Sequence, residues 1–97
     1  MNLGNAIQII RKHKKISQLE LAEKCNISQA ALSKIESGFK KPGSNTLDKL
    51  CVELDTPKSL LYILAIQDDD VPKNKKNLYD ALFPSIKQSI LSIVQDD

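Results

Sequence analysis

Tryptophan is missing from the 97 residues, and two Tyr and two Phe are the only other aromatics, so any core has to be built from aliphatic side chains. The two cysteines, Cys25 and Cys51, lie on apolar faces without CxxC spacing, which argues against a disulfide framework or a thiolate metal site and leaves two buried thiols. No run of about eighteen apolar residues is present to span a membrane. The N-terminus lacks the charged, apolar and small-residue order of a signal peptide, so a cytoplasmic location is expected. His13, the single histidine, stands among Arg11, Lys12, Lys14 and Lys15 with no carboxylate beside it, and reads as a solvated surface residue rather than a ligand or base. There is no Gly-rich phosphate loop, nucleophile elbow or pair of histidines, and carboxylates gather in solvated runs such as Asp68 to Asp70. No catalysis, cofactor or metal site is expected.

What remains is an apolar content of 41% in a chain of single-domain size, sufficient for one small core with a short appendage. The net charge of +2 conceals an asymmetry. Residues 1–50 carry nine Lys or Arg against four Asp or Glu, a net of +5, whereas residues 51–97 carry five against eight, a net of −3. A positive first half suits a polyanion such as DNA, although Lys-rich helix faces are also found merely solvated.

The stretch from Gln18 to Ser37 organises that basic half. Its apolar positions Leu21, Ala22, Cys25, Ile27, Leu32 and Ile35 describe two short amphipathic helices meeting across a turn at residues 25–27, a helix-turn-helix. Ser17 with Glu20 reads as a capping box for the first helix, and Ser28 caps the second. Asn26 occupies the turn position that requires positive φ, which Asn reaches readily. On these residues the segment resembles the helix-turn-helix of the phage repressor/Cro (XRE-like) family, from about Leu3 to about Leu64. Gln18, the close-packed Ala22, the buried Leu32 and Ile35, and Glu36 followed by Gly38 match the family pattern, and Asn26 replaces its usual Gly. The resemblance implies an all-α, five-helix repressor-like domain that binds double-stranded DNA. It further implies an ion pair between Arg11 and Glu36, tying the first helix to the recognition helix.

With Leu32 and Ile35 turned inward, the helical period leaves Ser28, Gln29, Ala30, Ser33, Lys34 and Ser37 facing out. In the docking mode of such motifs, Gln29, Ala30, Ser33 and Lys34 meet base edges: Gln pairs with adenine, Ala touches a thymine methyl, and Lys reaches guanine acceptors or a phosphate. Phosphate contacts are expected from Gln18, Ser28, Ser37, Lys40, Lys41, Ser44, Asn45 and Thr46, which sit on the flanking loop or at helix starts. Gly38 stops the recognition helix and FKKPGSN (residues 39–45) forms a loop. A fourth helix should follow Ser44 or Asn45.

Thr56 and Pro57 read as the start of a fifth helix. It contains LLYILAI (residues 60–66), more apolar surface than one face can bury. Domain bounds follow at 1–66 for the DNA-binding domain, 67–71 for a linker, and 72–97 for a C-terminal segment of one or two helices. Pro84 is expected to interrupt that segment and open a seventh helix, with one kinked helix as the alternative. The surplus apolar residues Leu61, Leu64, Leu82, Phe83, Ile86, Ile90 and Ile93 are assigned to a homodimer interface, against the alternative that the C-terminal helices fold back on their own chain. The sequence therefore points to a transcriptional regulator, a repressor binding a pseudo-palindromic operator as a dimer. An antitoxin-like protein, which holds a protein partner through its C-terminal helices and autoregulates through the helix-turn-helix, is the second reading.

Overall fold

Local sequence sets most helix starts in the computed structural model, which describes residues 1–94. Among these, the chain is all-α: α1 (Leu3–His13), α2 (Gln18–Lys24), α3 (Gln29–Glu36), α4 (Ser44–Glu53), α5 (Lys58–Leu64) and α6 (Lys76–Val94), with 3₁₀ turns at Asp68–Asp70 and Lys73–Lys75 between the last two. Side-chain oxygens of Asn2, Ser17 and Ser28 accept from the backbone N–H of Asn5, Glu20 and Ala31, at 2.9, 3.1 and 3.0 Å, satisfying a donor that each helix would otherwise leave open. α4 starts at Ser44 itself, behind Gly43 and without a side-chain cap. Thr56 does not cap α5: its hydroxyl donates to the Leu54 carbonyl at 3.0 Å, closing the end of α4, and Pro57 precedes the first turn of α5.

Three of the first four helices end through a left-handed residue that is not glycine. Lys15, Asn26 and Asp55 have φ of 60, 56 and 48°, and the next residue's N–H closes back five residues: Ile16 to Arg11, Ile27 to Ala22, Thr56 to Cys51. Gly38, at φ 81°, ends α3. The left-handed region crowds Cβ against the backbone, least for Asn. Lys15 has no such tolerance and is exposed. Lys15→Gly is therefore expected to stabilise by about 0.5 kcal/mol, after the added freedom of the unfolded chain, raising the melting temperature by about 3 °C. An unchanged or lower melting temperature would contradict this.

α1 is the spine of the core. Ala6, Ile7 and Ile10 are fully buried, and α3, α5 and α6 all pack on this helix. The run LLYILAI divides by helical period: Leu61, Leu64 and Ala65 turn into the core, while Tyr62 and Ile63 stay exposed. α6 returns across α1 and α5 and inserts Ile90 and Val94 into the same cluster. Leu61, Leu64 and Ile90 are thus core residues of their own chain, and the assignment of these three to a dimer interface is corrected. The physical reason is that α6 supplies the cover that the run in α5 needs.

The expected break at Pro84 is also corrected, because α6 runs through it as one helix of 19 residues. Proline removes the N–H that would reach the Asp80 carbonyl, a cost of about 3 kcal/mol in a helix interior. Packing on both sides of it offsets that loss. Tyr79 and Phe83 stack at 4.8 Å, the Tyr79 hydroxyl donates to the Ile66 carbonyl at 3.3 Å, and Ile90 is buried beyond. Asp80 is exposed, so water can reach its released carbonyl.

Candidate nucleic-acid interface

The pair α2 and α3 forms the site's frame. Ala22 and Leu21 are fully buried against Leu32 and Ile35, and the left-handed Asn26 turns the chain between the helices. Small Ala22 permits the close crossing, and the outer face of α3 stays clear. Gln29, Ala30, Ser33 and Lys34 are exposed on it, as are Ser28 and Ser37 at its ends. Two of those hydroxyls are already engaged: Ser28 accepts from Ala31 N–H, and Ser37 donates to the Lys34 carbonyl at 3.1 Å.

Behind this face lies a polar chain linking three helices. Arg11 Nε donates to Glu36 Oε2 at 2.7 Å and Arg11 Nη2 to Glu36 Oε1 at 3.0 Å, a bidentate pair with both residues buried. Arg11 Nη1 donates to the Ile16 carbonyl at 2.9 Å, fixing the guanidinium plane. Glu36 closes α3, where the helix dipole disfavours an anion, and the Arg11 guanidinium offsets that unfavourable placement. Gln18 Nε2 donates to Glu36 Oε1 at 3.2 Å, and Gln18 Oε1 accepts from Gln29 Nε2 at 3.4 Å. The buried ion pair therefore extends through the first residue of α2 to the first residue of the recognition helix. Gln18 retains a second amide hydrogen for another acceptor.

Beyond α3, the loop exposes Lys40 and Lys41, followed by exposed Ser44 and Asn45 and half-buried Thr46 at the start of α4. With no side chain capping α4, the first N–H groups of that helix are open to an acceptor. Lys40, Lys41 and Ser44 line one cleft together with the α1 start and Ile35. The Arg11–Glu36 pair cancels within itself, so the net +5 of residues 1–50 is carried by the remaining side chains, the exposed Lys34, Lys40 and Lys41 among them. Leu82, Ile86 and Ile93 belong to α6, outside this frame.

Among the described residues, no group of three His, Cys, Asp or Glu side chains could hold a metal ion. His13 departs from its solvated reading: it is half-buried, and its Nε2 is enclosed without a hydrogen-bond partner. Burial and the nearby Glu53 push the Cys25 thiol up, and burial does the same first for Cys51, so neither is a reactive thiolate. Gly4 was not singled out by sequence reasoning, yet a Cβ there would stand 1.9 Å from the Ile35 carbonyl oxygen. A small residue on the buried stripe of α1, three before Ile7, was the available signal. Phe39 was also passed over, as one apolar residue in a polar loop.

The sequence pattern of a family described as Helix-turn-helix matches residues 7–61. The immunity repressor protein of Bacillus phage phi105 is 42% identical over 48 residues, covering 50% of this chain and 33% of that protein. The chain thus spans about a third of that relative's length. No solved structure matches.

Proposed function

Since the chain belongs to the helix-turn-helix family of phage-repressor (XRE) type, we propose that it is a transcriptional regulator that binds double-stranded DNA, a repressor occupying a pseudo-palindromic operator as a dimer. The observation that carries this reading is the unobstructed outer face of α3, with Gln29 held at its start by Gln18. Gln29, Ala30, Ser33 and Lys34 read bases in the major groove, with Gln29 paired to adenine. Gln18, Ser28, Ser37, Lys40, Lys41, Ser44, Asn45 and Thr46 position the domain on phosphates. Operator occupancy excludes polymerase.

Dimerisation uses the outer side of α6. Leu78, Leu82, Ile86 and Ile93 are 56, 52, 43 and 69% exposed at spacings of four, four and seven residues, a continuous apolar stripe alongside the face carrying Ile90 and Val94. Phe83, half-buried on Tyr79, borders it. Two α6 stripes facing each other across a two-fold axis would cover both.

The test is selection from a random double-stranded library at near-physiological salt, followed by titration of the enriched sequence. A short pseudo-palindrome is expected, with affinity falling steeply as salt rises. With Lys40 and Lys41 of both protomers on phosphates, the logarithmic slope is about −4. Absence of any enriched sequence, or a flat salt response, would refute the reading.

A further inference from the structure

Phe39 is 82% exposed, more than any other large apolar side chain among the described residues. It is not at the tip of a loose loop. Gly38 N–H donates to the Ile35 carbonyl and Lys40 N–H to the Lys34 carbonyl, each at 3.1 Å, so the backbone on both sides of the ring is tied to α3. The left-handed Gly38 turns that backbone sharply out of the helix. A benzyl group held in water on a fixed turn forgoes roughly 2 kcal/mol of burial, which a partner surface can recover.

We propose that Phe39 lies within the DNA footprint and packs its ring on a thymine C5-methyl at the wall of the major groove, beside the end of the recognition helix. This rests on the DNA-binding reading above. Neighbouring residues on both sides, Lys34 and Ser37 before it and Lys40 and Lys41 after it, belong to the same exposed basic face. The thymine methyl is the apolar group that the major groove offers, and an aromatic ring is a suitable contact for it. A second copy of the chain fits this surface poorly. An isologous contact centred on Phe39 would set Lys40 and Lys41 against the same lysines of the partner, with no carboxylate from residues 37–47 to separate them. DNA reverses the sign of that interaction.

The experiment uses the full chain and the enriched operator, replacing each thymine in turn by deoxyuridine, which deletes only the methyl group. At one position per half-site the parent protein is expected to lose about fourfold in affinity, the equivalent of one buried methyl. Phe39→Ser should lose at least as much on thymine DNA and be indifferent to deoxyuridine at that position, with its salt slope unchanged. Lys40→Ala should instead flatten the slope by about 1 for each half-site. If the deoxyuridine and Phe39→Ser losses multiply independently, the assignment is wrong. It is equally wrong if Phe39→Ser weakens self-association in sedimentation while preserving half-site affinity. Failure of the parent protein to enrich any sequence would overturn the DNA reading itself, a result distinct from a missing coupling at Phe39.

Discussion

Gly4→Ala is expected to lower the melting temperature by about 15 °C, a loss of about 3 kcal/mol, although alanine is the better helix former. A Cβ at this position would stand 1.9 Å from the Ile35 carbonyl oxygen, 3.0 Å from its carbon and 3.1 Å from the Glu36 carbonyl oxygen. All three atoms are backbone, so no side chain can swing aside. α1 and α3 would have to separate by roughly 1 Å, and overpacking of that kind costs 1–3 kcal/mol or more. The separation also falls at Glu36, whose carboxylate must meet Arg11 on α1. Operator affinity should therefore fall with stability, even at temperatures where the variant stays folded. Gly43→Ala is the control, since nothing lies within 4 Å of a Cβ there, and its cost should stay under about 1 kcal/mol. Equal melting temperatures for the two variants would show that α1 can yield at Gly4.

Elements governed by neighbours in sequence were legible before the fold was known. Ser17, Ser28 and Asn26 act within three or four residues of themselves, and the helix-turn-helix they delimit is present. The residues that misled depend on chain returning from far away. Choosing which members of LLYILAI face inward required knowing that Ile90 and Val94 of α6 would arrive to cover them. Pro84 follows a strong local rule for ending helices, overridden here by packing on both sides of it. Gly4 is informative only once α3 crosses α1. At the candidate interface, the residue types facing outward follow from periodicity alone. The link from Gln18 to Gln29, made between side chains 11 residues apart, does not.

Glu36→Ala should destabilise by about 3–5 kcal/mol, because it strands the buried Arg11 guanidinium with the Ile16 carbonyl as its remaining partner among the contacts described above. Replacing both members, Arg11→Met with Glu36→Leu, removes the charges together, and a well-packed apolar pair is neutral or stabilising at such sites. Most of the lost stability should return in thermal denaturation. Operator binding should not return with it. Gln18 Nε2 loses its acceptor in both variants, so the amide that receives Gln29 Nε2 is free to rotate, and Gln29 enters the groove without a fixed orientation. An affinity deficit of about tenfold is expected in the stable double variant, concentrated at the adenine assigned to Gln29. Gln18→Ala should reproduce the adenine-specific part of that deficit with the ion pair intact and stability nearly unchanged, on top of a sequence-independent weakening from its own lost phosphate contact, which separates the tether from the charges. Should the double variant recover both stability and full operator discrimination, the ion pair would serve the fold alone. Should it remain as unstable as Glu36→Ala, the site cannot repack, and the pair's hydrogen bonds rather than its charges hold α1 against α3.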